Sequence, residues 1–219
     1  MFVTIETHGQ PENLDLIDRM YKLRAKVFGS ELGWDVSVVN GRETDYYDRC
    51  NPVYLIWTDA GKRELYGSVR LLPTTGPTLL YDVFHDTFPN ELSLSAPGIW
   101  EGTRLCINED AFARSMPQMS KKTAFCLMLL ALCETALKNH IHTLISNFEP
   151  PTKRLYRAAG APLQELGSSD GYGRRPVCAG LFPVDRRTLD QMRSAIGVES
   201  TLLAADINDR LRSFMRAAA

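Results

Sequence analysis

The sequence predicts a mixed α/β fold, in which a central, mostly antiparallel sheet carries helices on both sides. Three observations predict it. Between residues 53 and 107 lie runs of β-branched, aromatic and aliphatic residues, split by Gly, Pro and Asp, as in antiparallel strands. Helical and strand-like patterns alternate after residue 120. The apolar run 124–133 is ten residues long, which suits a helix buried against a sheet and is too short to span a bilayer.

In chain order, residues 1–7 form a short first strand. Residues 11–33 are expected to be helical, with Leu14, Ile17, Tyr21, Arg24 and Phe28 recurring at three- and four-residue steps on one face. Arg24 on an apolar stripe has two readings: it snorkels out, or it reaches a buried anion. Residues 34–51 form a long loop holding Glu43, Asp45 and Asp48 beside Trp34, Tyr46 and Tyr47. Such a loop is a solvated acidic face or a site for a cationic or amine-bearing ligand.

Residues 53–58 and 65–72 make a hairpin around Asp59-Ala60-Gly61-Lys62. Tyr66, Ser68 and Arg70 are expected to share one face of its second strand. After the break at residues 73–77 comes a mixed aromatic segment with Phe84 and His85.

Next is the strand Trp100-Glu101-Gly102-Thr103-Arg104-Leu105-Cys106-Ile107, with two opposite charges in its middle. Burying charge is costly unless it is paired. Alternation puts Glu101 and Arg104 on opposite faces, so a shared pocket requires a bulge, and Gly102 is its expected place. An ion pair at a sheet edge is the simpler reading.

Ser120 caps a helix to about residue 139, and residues 141–146 are a strand. Pro150-Pro151 opens a helix ending at Gly160, with Lys153, Arg154 and Arg157 as a basic patch. Residues 177–184 are a strand, Asp185 caps a helix through Met192, and residues 199–215 read as a last amphipathic helix.

At 44% hydrophobic and 23% charged, the 219 residues are ordinary for a globular chain, and we expect one domain over 1–219. A net charge of −1 gives no case for nucleic acid or an anionic membrane as partner. It hides an asymmetry: residues 150–193 carry eight basic and four acidic side chains, and the first fifty carry six and nine. Five scattered cysteines without C-x-x-C spacing and four histidines argue against a metal site, and the N-terminus lacks a signal-peptide pattern. The expectation is a cytoplasmic protein with reduced thiols.

The element order matches the plan of GNAT-type acyltransferases, whose acyl-carrier site lies where two central strands splay into a V. The residues resemble a narrower family, the LuxI-type acyl-homoserine-lactone synthases of bacterial quorum sensing. That family's R-x-x-x-F, W and D-x-x-D pattern stands here as Arg24, Phe28, Trp34, Asp45 and Asp48. Its hairpin arginine is Arg70, its later aromatic Phe84, and its strand E-x-x-R is Glu101 and Arg104.

The resemblance implies an enzyme that acylates the amine of S-adenosylmethionine from an acyl thioester, on acyl carrier protein or coenzyme A. It then closes the acyl-homoserine lactone and releases methylthioadenosine. S-adenosylmethionine is then a substrate, and neither a cofactor nor a metal is required. Arg24 and Arg104 would serve its carboxylate or order the loop around it. Asp45 would hold its amine, Asp48 would pair with an arginine, and Arg70 would brace the loop carboxylates. Phe28, Trp34 and Phe84 would shield the adenosyl and sulfonium groups.

Glu101 is the expected base if burial raises its pKa, with Asp45 as rival. A backbone N–H near Leu105 or Cys106 would serve the oxyanion, and Cys106 as a covalent nucleophile is the weaker alternative. Leu105, Ser146 and Asn147 would line the acyl pocket. Lys153, Arg154 and Arg157 would dock an acidic carrier protein or coenzyme A phosphates, or form a plain solvated face. The alternatives in function are another GNAT-type N-acyltransferase and a non-catalytic carrier- or ligand-binding module.

Overall fold

The turn at Asp59 shows how local chemistry sets the sheet. Its carboxylate accepts the backbone N–H groups of Gly61, Arg63 and Glu64, which closes the hairpin between β4 (Val53–Thr58) and β5 (Leu65–Pro73). This is a computed structural model; it describes residues 1–6, 11–89 and 92–203. In it β1 (Phe2–Glu6) is followed by α1 (Leu14–Arg24), which widens into a π-type turn over Ala25–Glu31. A small hairpin, β2 (Val38–Val39) and β3 (Arg42–Glu43), precedes β4.

After β5 come α2 (Leu79–Asp82), β6 (Ile99–Ile107), α3 (Glu109–Ser115) and α4 (Lys121–Lys138). Then follow β7 (Thr143–Phe148), α5 (Lys153–Ala158), β8 (Gln164–Ser169), β9 (Val177–Pro183) and α6 (Arg186–Ile196). Seven strands form one sheet in the order β1-β4-β5-β6-β7-β9-β8. All neighbours are antiparallel except β6 and β7.

The parallel pair is short. It joins Ile99 to Thr143, Trp100 to Leu144 and Glu101 to Ile145, and then stops. Beyond Glu101 the strands part, and only the Ser146 hydroxyl crosses, donating to the Gly102 carbonyl at 2.9 Å. The sheet thus opens into a V. On one face, Leu55, Trp57, Val69 and Leu71 pack against α4, and on the other Tyr54 and Ile56 pack against Leu16, Met20 and Leu23 of α1. The Ser120 and Asp185 caps form as expected, accepting from Thr123 N and Thr188 N. Among the described residues no helix is long and apolar enough to cross a membrane.

Several expectations are corrected. Leu14 is 68% exposed, so the buried stripe of α1 is Leu16, Met20, Leu23 and Arg24, shifted by the π-type turn that brings Phe28 back inside. Tyr66 is an extra residue between the Trp57–Gly67 and Thr58–Leu65 pairs, so it joins Trp57 and Phe112 on the α4 face rather than sharing the face of Arg70. The loop 34–51 contains the β2–β3 hairpin, because Asn40 (φ 52°) and Gly41 (φ 73°) both adopt the left-handed conformation such a turn needs. The strand expected at 141–146 begins two residues later.

Two elements had no strong pattern. α3 buries only Ala111 and Phe112, and β8 is a polar edge strand with no apolar alternation. Residues 199–203 are not helical, and the rest of the helix expected at 199–215 lies outside the described residues.

Candidate active site

Three arginines and three carboxylates meet over β5 and β6. Arg24, at the end of α1 and 1% exposed, donates from Nη1 and Nη2 to the two oxygens of Asp48 at 2.7 and 3.0 Å, and from Nε to Glu43. Arg70 of β5 bonds both oxygens of Asp45, Asp48 Oδ1 at 2.8 Å and Thr103 Oγ1 at 3.0 Å. Arg104 of β6 bonds Glu43 Oε1 and Asp45 Oδ2, each at 3.1 Å. Tyr54 adds its hydroxyl to Asp48 Oδ1 at 2.7 Å.

Three positive and three negative groups cancel, and the planar forks of arginine match carboxylates two bonds at a time. Burial pushes the Asp48 carboxyl up, but the bond and charge of Arg24 and the charge of Arg70 hold it well below the usual carboxylate range. Arg24 therefore pairs with the loop carboxylates rather than snorkelling. Glu43 was legible only as one more acidic loop residue, yet it is fully buried between Arg24 and Arg104. Its signal was arithmetic: three inward arginines require a third carboxylate beside Asp45 and Asp48.

A bulge brings Arg104 to this cluster. Ser68 pairs with Cys106 but Arg70 pairs with Thr103, so Arg104 and Leu105 together oppose Val69. Arg104 takes the left-handed conformation, φ 55°. The bulge thus falls at Arg104, not at the expected Gly102, and it turns Arg104 to the face that carries Glu101 and Thr103.

Glu101 stands apart from the arginines. It is fully buried, and its two oxygens accept the N–H groups of Leu79 at 3.1 Å and Leu80 at 2.7 Å. Burial pushes its pKa up to about 7, against the lowering effect of those N–H bonds and of Arg70 and Arg104. Cys106 is also buried, and burial pushes its thiol up to about 12. It is not a thiolate near neutral pH, which counts against it as a nucleophile.

Beside the cluster lies an apolar cavity of about 460 Å³. Phe28, Trp34, Phe84 and Arg104 line it on one side of the V, and Leu105, Ser146 and Asn147 line its walls. The rings of Phe28 and Trp34 are 5.2 Å apart, and the Arg104 guanidinium lies 5.2 Å from the Phe28 ring centre. Phe84 packs on Tyr172 at 4.8 Å. Trp34 Nε1 donates to Glu149 at 3.1 Å, and Arg175 bonds the other Glu149 oxygen at 3.3 Å. Neither Glu149 nor Arg175 was among the site residues expected from the sequence. Asn147 Nδ2 donates to Thr87 Oγ1 at 3.2 Å. In the basic patch, Lys153 is held by Glu165 at 2.6 and 2.8 Å, while Arg154 and Arg157 are exposed.

A V-shaped opening at the one parallel pair of a mostly antiparallel sheet, with a cavity beside it, defines an acyltransferase of GNAT-like plan. A Lactobacillus plantarum protein described as an N-acetyltransferase shares this fold, with a TM-score of 0.53 at 18% identity over 84% of this chain and 99% of that one. A family model described as autoinducer synthase matches residues 9–192. The acyl-homoserine-lactone synthase of Agrobacterium fabrum is 31% identical over 180 residues, 80% of this chain and 82% of that one. The coenzyme A-dependent acyl-homoserine lactone synthase BjaI, solved with S-adenosylmethionine and isopentyl-coenzyme A, has a TM-score of 0.79 at 26% identity, covering 91% of this chain and 90% of that one. The chain belongs to the autoinducer synthase family.

Proposed function

We propose that this chain makes a quorum-sensing signal, an N-acyl-L-homoserine lactone, from S-adenosylmethionine and an acyl thioester. The observation that carries this reading is one cavity with two characters. It is aromatic and charged at Phe28, Trp34 and Arg104, apolar beyond the V, and has Glu101 behind the wall formed by Leu79 and Gly102.

S-adenosylmethionine sits against Phe28, Trp34 and Phe84, with its sulfonium facing the rings. Its amine is held at Asp45, the most exposed carboxylate of the cluster. Arg24, Arg70 and Asp48 order the loop, and Arg104 faces the substrate carboxylate. Glu101, acting through a water, takes a proton from the amine; a free α-amino group has a pKa near ~8, within reach of a base near 7. Asp45 is committed to two arginines and is the poorer base.

The neutral nitrogen attacks the thioester carbon, a backbone N–H at the β6 bulge, near Leu105 or Cys106, serves the oxyanion, and the thiol leaves with a proton. The substrate carboxylate then attacks the carbon beside the sulfonium. That carbon–sulfur bond breaks, and methylthioadenosine departs. This second step is intramolecular and depends on positioning. The acyl donor is carried on coenzyme A or on acyl carrier protein, and the exposed Arg154 and Arg157 form a docking face for its acidic groups.

The test is mass spectrometry of extracts from an expressing host, followed by methylthioadenosine release by purified protein with both kinds of thioester. A homoserine-lactone fragment and stoichiometric methylthioadenosine are expected. Glu101→Gln should cut turnover by about 10²–10⁴-fold with S-adenosylmethionine binding retained. Acylation without methylthioadenosine would point to another N-acyltransferase, and no turnover with any donor to a binding module.

A further inference from the structure

The cavity continues past the V on the α4 side of the sheet. Phe125, Leu129, Leu132 and Cys133 line it from a single helix face, and all four are buried. Phe125 and Cys133 stand eight helical steps apart, or about 12 Å of helix. An extended chain advances about 1.2 Å per bond, so this stretch holds about ten bonds.

The residues at the far end are buried. Val184, Thr188 and Met192 line it and are 5%, 6% and 2% exposed. Val198 and Leu202 belong to the same core as Met192. A buried carboxylate fixes this end wall. Glu134, next to Cys133, accepts from Arg193 Nη2, Thr201 Oγ1 and Leu202 N, each at 2.8 Å. Arg193 in turn follows Met192, so one clamp holds α4, α6 and the segment behind them.

We infer that this is a blind acyl tunnel ending on Met192, that Met192 sets acyl length, and that the preferred donor carries a straight chain of about ten carbons. This inference rests on the synthase reading above. A short, branched or aryl group would leave the Leu132–Met192 end unfilled, and unfilled apolar space forfeits contact.

The experiment measures methylthioadenosine release with saturated acyl groups from butyryl to hexadecanoyl, carried on coenzyme A and on acyl carrier protein. We expect kcat/KM to rise by about fourfold per methylene up to about ten carbons, and to fall beyond. Met192→Trp should move the optimum at least about two carbons shorter and Met192→Ala about two carbons longer, with Met192→Leu unchanged. If the tryptophan variant does not fold, the alanine variant still tests the length. An optimum at about six carbons or fewer, or one that the alanine and tryptophan variants leave in place, overturns the inference while the synthase reading stands. No methylthioadenosine from any donor overturns both.

Discussion

Arg24 makes bonds to two carboxylates from a position with 1% exposure. Its value lies less in the attraction than in what its loss would leave: Asp48 and Glu43 would stay buried with one cation fewer. Breaking a buried pair from one side costs about 3–5 kcal/mol, so Arg24→Ala should lower unfolding free energy by about that much in a denaturant titration. Arg24→Lys should recover only part, because an ammonium cannot take both Asp48 oxygens in parallel. A loss under about 1 kcal/mol for alanine would mean that water replaces the guanidinium. The cluster's arginines were legible one by one because each breaks an apolar pattern. Glu43 was not, since an acidic residue in a polar loop breaks none.

At the scale of the element, the β6 bulge decides which glycines matter. Gly102 looked like the bulge residue because glycine tolerates unusual backbone, yet a Cβ there would meet only Leu71 and the Ile145 carbonyl at 3.8 and 3.9 Å. A Cβ at Gly67, opposite β6, would lie 2.8 Å from the Cys106 carbonyl. Gly102→Ala should therefore change stability by less than about 1 kcal/mol, and Gly67→Ala should cost about 1–3 kcal/mol, both measured by thermal and chemical unfolding. Equal effects would disprove this reading of the bulge.

The same strand shows what sequence can and cannot reveal. That Glu101 and Arg104 require a bulge follows from the period of two. Its place depends on the register against β5, which no single strand carries. Long elements with caps or turn residues, such as α4 and the β4–β5 hairpin, were readable. The π-type turn after α1 and the extra residue Tyr66 were not, because each is a one-residue slip set by tertiary packing.

For the whole molecule, two carboxylates oppose each other in their effect on stability. Asp48 is held below its unfolded value of 3.8, so its contribution is present above that pH and is lost as pH falls through the folded value. Glu101 is raised from 4.5 to about 7, so the stability of its neutral form is present below 4.5 and is lost as pH rises through 7. The chain should thus be more stable near pH 5 than near pH 8, by about 3 kcal/mol from Glu101 alone. Calorimetry across that range should show the decline, and Glu101→Gln should flatten it. A decline of the same size in the glutamine variant would assign it elsewhere. The decline is the stability cost of holding a carboxyl group in an apolar wall.

The V has a consequence for how such a protein can be altered. Only three residue pairs and one hydroxyl bond tie β6 to β7. The charged cluster is drawn from residues 24–104, whereas most of the tunnel wall comes from residues 105–192. On the proposed function, recognition of S-adenosylmethionine and measurement of the acyl tail are therefore written in consecutive stretches of the chain. A chimaera of two relatives joined between α3 and α4 would keep one parent's charged cluster whole and take most of its tunnel, and with it the dialect of its signal, from the other.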